Sequence, residues 1–142
     1  MEEFEFLEEV ATGDVAMVAR AGSQEALFRA AAKGLSETMV ETKGVRPDIA
    51  KEIALVEESI DRLLYQWLSE LVYLKDAERL LFSMFEVTIE RGPLHQMKGV
   101  AIGERIDPSR HTLRNDVKAV TLHRFRVERE EGAWKATMIF DI

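Results

Sequence analysis

The apolar positions of this chain change period several times, and each change marks an element. From 4 to 10 and from 14 to 21 they alternate, which predicts two strands joined at Thr12-Gly13-Asp14, a turn signal. Gly22-Ser23 breaks that pattern. Leu27, Phe28, Ala31, Leu35 and Met39 then recur at helical spacing and predict an amphipathic helix over 24–40. Ser23 is placed as its N-cap and Glu25 sits favourably in its first turn. Lys43-Gly44-Val45-Arg46-Pro47 reads as a loop, and residues 49–56 as a strand, with a short helix as the other reading.

A second helix follows. Ser59 caps it, and Ile60, Leu63, Leu64, Trp67, Leu68, Leu71 and Leu74 form a broad apolar stripe that predicts a helix to about residue 78. Residues 80–90 read as a strand, Arg91-Gly92-Pro93 as a turn, and 94–106 as the hairpin partner. Residues 107–117 look irregular. A strand over 118–129, a turn at Glu130-Glu131-Gly132 and a final strand over 133–142 complete the series. The fold class expected is α+β, a two-layer sandwich of mostly antiparallel sheet packed against two helices.

Composition narrows the reading. The 142 residues suit one domain spanning 1–142, with 46% apolar and 32% charged residues, the balance of a globular chain. Cysteine is absent, which removes disulfides, thiolate metal sites and cysteine nucleophiles and fits a cytoplasmic location. The amino terminus lacks the basic and apolar regions of a signal peptide, and no apolar run reaches membrane-spanning length. A net charge of −7 argues against simple phosphate-driven nucleic-acid binding. The charge is uneven: Arg105, Arg110, Arg114, Lys118, Arg124 and Arg126 face only Asp107 and Asp116 over 105–126. Such a patch is either a charged partner surface or a solvated face with ordinary ion pairs.

Candidate chemistry is sparse. His95, His111 and His123 are widely spaced and read as solvated or locally hydrogen-bonded rather than metal-ligating. No nucleophile elbow and no phosphate-cradling glycine loop occurs. Trp67 and Tyr73 can be read as a partner-binding stripe, but Trp67 falls on the core face, so packing is the better reading. Asp14, Asp141 and the carboxylate of Ile142 together offer three hard oxygen ligands, a set suited to Ca²⁺ or Mg²⁺ and not to zinc. It requires the first hairpin and the last strand to meet; otherwise Asp14 is a turn aspartate and Asp141 a solvated strand residue.

Several motifs in order carry a resemblance. They are Thr12-Gly13-Asp14, Leu27-Phe28-Arg29-Ala30-Ala31-Ala32, Trp67-Leu68-Ser69-Glu70-Leu71-Val72-Tyr73 and Phe82-Ser83-Met84-Phe85. Gly103-Glu104-Arg105-Ile106-Asp107, Lys118-Ala119-Val120-Thr121-Leu122-His123 and Ile139-Phe140-Asp141-Ile142 complete them. By these the chain resembles the archease family, small cytoplasmic proteins that assist RtcB-type RNA ligases. The resemblance implies a two-layer α+β fold with a calcium site, Asp14 and Asp141 as acidic ligands helped by Ile142, and Lys118 as a basic residue needed for activity. Many members carry a histidine where Ala11 stands, so no ligand is assigned there.

The implied activity is not catalysis. It is stimulation of ligase guanylylation and of repeated turnover in joining tRNA halves, so tRNA is met only indirectly. A chaperone-like role towards a tRNA methyltransferase is also associated with the family. Two readings from other classes stand beside it. One is a metal-dependent hydrolase built on the same carboxylates. The other is a general chaperone or assembly module, with an RNA-binding adaptor as a weaker variant.

Overall fold

The computed structural model describes residues 1–7 and 13–142. Its strands are β1 (Glu2–Phe6), β2 (Asp14–Ala21), β3 (Ile49–Glu57), β4 (Leu80–Glu90), β5 (His95–Arg105), β6 (Ala119–Val120), β7 (Arg126–Glu130) and β8 (Ala133–Asp141). Its helices are α1 (Gln24–Met39) and α2 (Ile60–Glu78), with one turn of 3-10 helix at Thr42–Gly44.

Both helices begin where the side chains dictate. The Ser23 hydroxyl accepts from the Ala26 N–H at 3.1 Å, and the Ser59 hydroxyl from the Arg62 N–H at 3.2 Å. Each satisfies one of the donors that a helix start leaves free. The end of α2 is set by Arg79, which takes the left-handed conformation at φ 58° and turns the chain into β4.

The fold is α+β and every strand pairing among the described residues is antiparallel. One difference from the sequence reading concerns the sheet, which is two sheets. Five strands run β1-β2-β8-β6, with β7 also on β8, and three run β3-β5-β4. The hairpin β4–β5 recruits β3 along its whole length, so these strands satisfy one another and never join β8. Helix α1 packs on β1 and β2 of the larger sheet and on β4 of the smaller. Helix α2 packs on β3 and β5 and reaches β6 and β7. The helices therefore fill the space between the sheets. Trp67 is fully buried there, its ring edge-to-face on Phe85 at 6.0 Å and its indole N–H donating to the Phe28 carbonyl at 3.1 Å.

Two strand boundaries also differ. The first strand spans Glu2–Phe6 instead of 4–10; of the remainder, residues 8–10 lie outside the described residues. The strand expected over 118–129 is broken into β6 and β7. Between them Leu122, His123 and Arg124 leave the ladder, with Arg124 at φ 57°. Long-range contacts explain the break. Phe125 packs edge-to-face on Tyr65 of α2 at 5.6 Å, and the Val127 N–H donates to Asp61 Oδ2 at 2.8 Å. Both draw the chain towards the helix.

Candidate functional site

Gly13 leads into β2 with φ 94°, a left-handed value that costs glycine little because it has no Cβ. It delivers Asp14 as the first residue of the strand. Asp14 stands directly opposite Asp141 across the ladder, and Asp141 stands opposite Ala119 on its other side. The Ile142 N–H donates to the Gly13 carbonyl at 2.8 Å, and the Lys118 N–H to the Asp141 carbonyl at 2.8 Å. The four residues nominated from the sequence thus meet at one end of the five-stranded sheet.

Alternation decides which way the carboxylates point. Phe140 and Val120 are buried in the core and Val15 packs against it. Asp14, Asp141 and Ala119, one residue further along each strand, therefore lie on the outer face, away from the helices. Directly opposed residues place their Cβ atoms about 4.5–5.5 Å apart, where two negative charges repel. A cation between them would offset that repulsion.

The donors fit a hard cation. Two carboxylates are joined by an Ile142 backbone oxygen, 3.8 Å from the point a Cβ on Gly13 would occupy. Calcium takes about 6–8 oxygens, so these leave much of the shell to water or to a partner's groups. Among the described residues no three His, Cys, Asp or Glu side chains gather as a cage. The arrangement is an open pair, not a closed structural site.

The segment that carries Lys118 is held by groups the sequence reading passed over. Lys75 is buried on α2, and its ammonium reaches Asp116 Oδ1 at 2.5 Å, the Val117 carbonyl at 2.6 Å and Asp76 Oδ1 at 2.7 Å. The signal was present: Lys75 continues the Leu64, Leu68, Leu71 spacing of the apolar stripe, where a charge needs a partner. Further back, Glu104 is buried and accepts from the Arg46 N–H at 2.6 Å, from Arg110 and from His111 Nε2 at 2.9 Å. The Asp107 N–H donates to His111 Nδ1 at 2.9 Å, which leaves the ring proton on Nε2, facing Glu104. Burial acts to raise the Glu104 pKa, but the bonds from Arg110, Arg46 and His111 prevail and bring it down to about 2. This knot fastens the 107–111 turn to the core.

The basic stretch divides. Arg110 pairs with Glu104, Arg114 with Glu37 at 2.8 Å and Arg126 with Glu128 at 3.5 Å. Among the described residues Arg105, Lys118 and Arg124 have no carboxylate within ion-pair distance. The histidines do not converge: His95 opens β5, His111 is bound to Glu104, and His123 is exposed in the break between β6 and β7. Tyr73 is exposed on α2 while Trp67 is core.

Comparison with known proteins agrees with this architecture. The model of the archease protein family matches residues 4–142. The chain belongs to the archease family. Protein archease of Thermococcus kodakarensis is 35% identical over 133 residues, covering 92% of this chain and 94% of the relative. Protein archease of Sulfolobus acidocaldarius is 32% identical over 142 residues, all of both chains. The solution structure of protein 1598 of Methanobacterium thermoautotrophicum superposes with a TM-score of 0.87 at 35% identity over the whole of both chains. A crystal structure of an archease from Thermotoga maritima, described as a possible chaperone, superposes with a TM-score of 0.63 over 93% of each chain. At 20% identity that last likeness speaks to the fold alone. No helix among the described residues is long and apolar enough to cross a membrane.

Proposed function

We propose that this archease is a non-catalytic activator of an RtcB-type RNA ligase, acting in the cytoplasm to promote ligase guanylylation and multiple turnover during tRNA splicing and RNA repair. The observation that carries the reading is the register pairing of Asp14 with Asp141 beside Ile142 and Lys118. It gathers an anionic pair and a basic residue at a sheet end. Asp14, Asp141 and an Ile142 oxygen would hold Ca²⁺ or another divalent cation. Such an ion, once bound, supplies positive charge and free coordination positions. The two strands fix the carboxylates across the ladder and keep them on the solvent side. Lys118, anchored through the Asp141 carbonyl and the Lys75–Asp116 pair next to it, presents its ammonium to the ligase. Docked near the ligase's nucleotide pocket, this end of the sheet would favour the conformer competent for guanylylation.

The test is multiple-turnover ligation by an RtcB-type ligase from the same source, with GTP and divalent metal, while ligase–GMP is followed in parallel. Faster guanylylation and turnover, both lost in Asp14→Ala and Lys118→Ala, are expected. An unchanged ligase in the presence of the wild-type protein would overturn the reading. A second reading is the chaperone-like role that the family resemblance implies, the kind of role suggested for the Thermotoga protein itself. There the protein shields or assembles a tRNA-processing client such as a tRNA methyltransferase, and it predicts suppressed client aggregation with no effect on ligation.

A further inference from the structure

Alternation along β6 would bury Leu122, yet the structure exposes it. Val120 is buried on the inner face. A strand continuing past it would turn Thr121 outwards and bring Leu122 back to that same inner face. Instead Thr121 makes the last bond to β8, its N–H donating to the Ile139 carbonyl at 3.0 Å, and the chain turns. Leu122 is left 64% exposed, second among the large apolar side chains of the described residues to Met1 at 66%. His123 and Arg124 beside it are exposed as well.

The turn is held from both sides. The Phe125 N–H closes it on the Leu122 carbonyl at 3.2 Å. Beyond it, the Phe125 ring packs on Tyr65 and the Val127 N–H is bonded to Asp61. Leu122 is therefore displayed on a fixed frame. Arg124, the third of the four turn residues, has φ 57°. A positive φ at that position suits glycine or asparagine, and the Cβ of an arginine is crowded there. The other two non-glycine residues at positive φ have structural duties: Arg79 ends α2, and Glu131 joins Gly132 in the turn between β7 and β8. The turn at Arg124 has no structural need of an arginine, and backbone held this way collects where a protein binds something.

Charge points to the kind of partner. Over 118–126 Lys118, Arg124 and Arg126 are accompanied by no acidic residue, on a chain whose net charge is −7. This edge of the larger sheet therefore favours an acidic surface. An exposed leucine beside an arginine without an ion pair is the chemistry of an anchor between proteins. The turn offers no large aromatic ring for bases to stack on, and the net charge opposes phosphate.

We infer that Leu122 and Arg124 form a docking prong, the leucine entering an apolar socket on the RtcB-type ligase and the guanidinium meeting a carboxylate at its rim. The inference rests on the reading of the protein as an activator of that ligase. It divides the labour: the turn binds the ligase, while the aspartate pair and Lys118 act on it once bound.

Calorimetric titration of the whole chain into the ligase, with ligation measured across a range of activator concentrations, tests it. Leu122→Ala should weaken binding about thirtyfold, the effect of removing an interface anchor. Its stimulation should recover when the activator concentration is raised by a like factor. Arg124→Asn should weaken binding about tenfold with a shallower dependence on salt. It should melt no lower than wild type, because asparagine tolerates a positive φ. Asp14→Ala should lower the maximal stimulation itself. Wild-type affinity in both turn variants, alongside lost stimulation in Asp14→Ala, overturns the inference and leaves the activator reading standing. A binding loss in Leu122→Ala that tracks a fallen melting temperature also overturns it, since the leucine is then part of the packing. Direct tRNA binding that Arg124→Asn abolishes, with ligase affinity untouched, assigns the turn to nucleic acid and overturns it too. A wild-type protein that neither binds nor stimulates the ligase removes the activator reading and the inference together.

Discussion

The two sheets are built to different standards. In the three-stranded sheet, β3, β4 and β5 are nine to eleven residues long and pair along their length, with one irregularity between Phe82 and Met84. Its outer face carries rows such as Glu52, Val100 and Glu86, an ordinary solvated surface. The five-stranded sheet is ragged at one end. There β6 is two residues long, the chain leaves the ladder before β7, and two aspartates face each other across β2 and β8. Regularity stabilises, and local departures from it collect where a protein binds something. On the proposed function, the smaller sheet is scaffold and the ragged end of the larger one the working part.

Damage to each region should therefore have a different signature. The largest effect is expected from Trp67→Ala, which empties the space between α2 and the smaller sheet. Loss of a buried tryptophan should cost about 3–5 kcal/mol, read as a lower denaturant midpoint, with stimulation of the ligase falling only as the folded fraction falls. Asp14→Ala should do the opposite. It is expected to reduce stimulated ligation by about 10–100-fold, the range for groups supporting a metal site, with a melting temperature equal to or above wild type because one of two opposed charges is gone. If Asp14→Ala instead unfolds the protein, the division between scaffold and working end is wrong.

Acid should probe the knot that fastens the 107–111 turn to β5. Glu104 titrates at about 2 in the folded protein against an ordinary 4.5, so folding favours its ionised form. Its contribution is complete above about pH 4.5 and is lost as the pH falls towards 2. Melting temperatures taken across that window should drop less steeply for Glu104→Gln than for wild type, from a lower starting value. The smallest effect belongs to Glu86→Gln on the outer face of the smaller sheet. It should shift stability by less than about 0.5 kcal/mol and leave ligase stimulation unchanged; a loss of stimulation there would give the smooth face a role in docking.

Much of this was legible in the chain itself. The serines at 23 and 59 announce both helices, because a helix start needs an acceptor for its free N–H groups and the hydroxyl is local. The hairpin over 80–106 and the final strand follow from alternation, which depends only on neighbours in sequence. The break in the 118–129 strand was not legible, since the residues that bend it, Asp61 and Tyr65, lie far back along the chain, Asp61 66 residues before its partner Val127. Lys75 and Glu104 escaped for the same reason: their roles are set by burial and by partners distant in sequence.

The chain alone thus determined the number and order of helices, the places where they begin, the hairpins, and the residue types able to serve a hard cation. Periodicity, capping and donor chemistry are local properties. The tertiary structure decided that strands β3 to β5 close on themselves as a separate sheet, and that β2 and β8 pair in the one register that sets Asp14 against Asp141. A slip of one residue would turn either aspartate to the opposite face. What holds that register is the burial of Met17, Ala19, Met138 and Phe140 on the inner side, a cost shared by the whole core and written in no single motif.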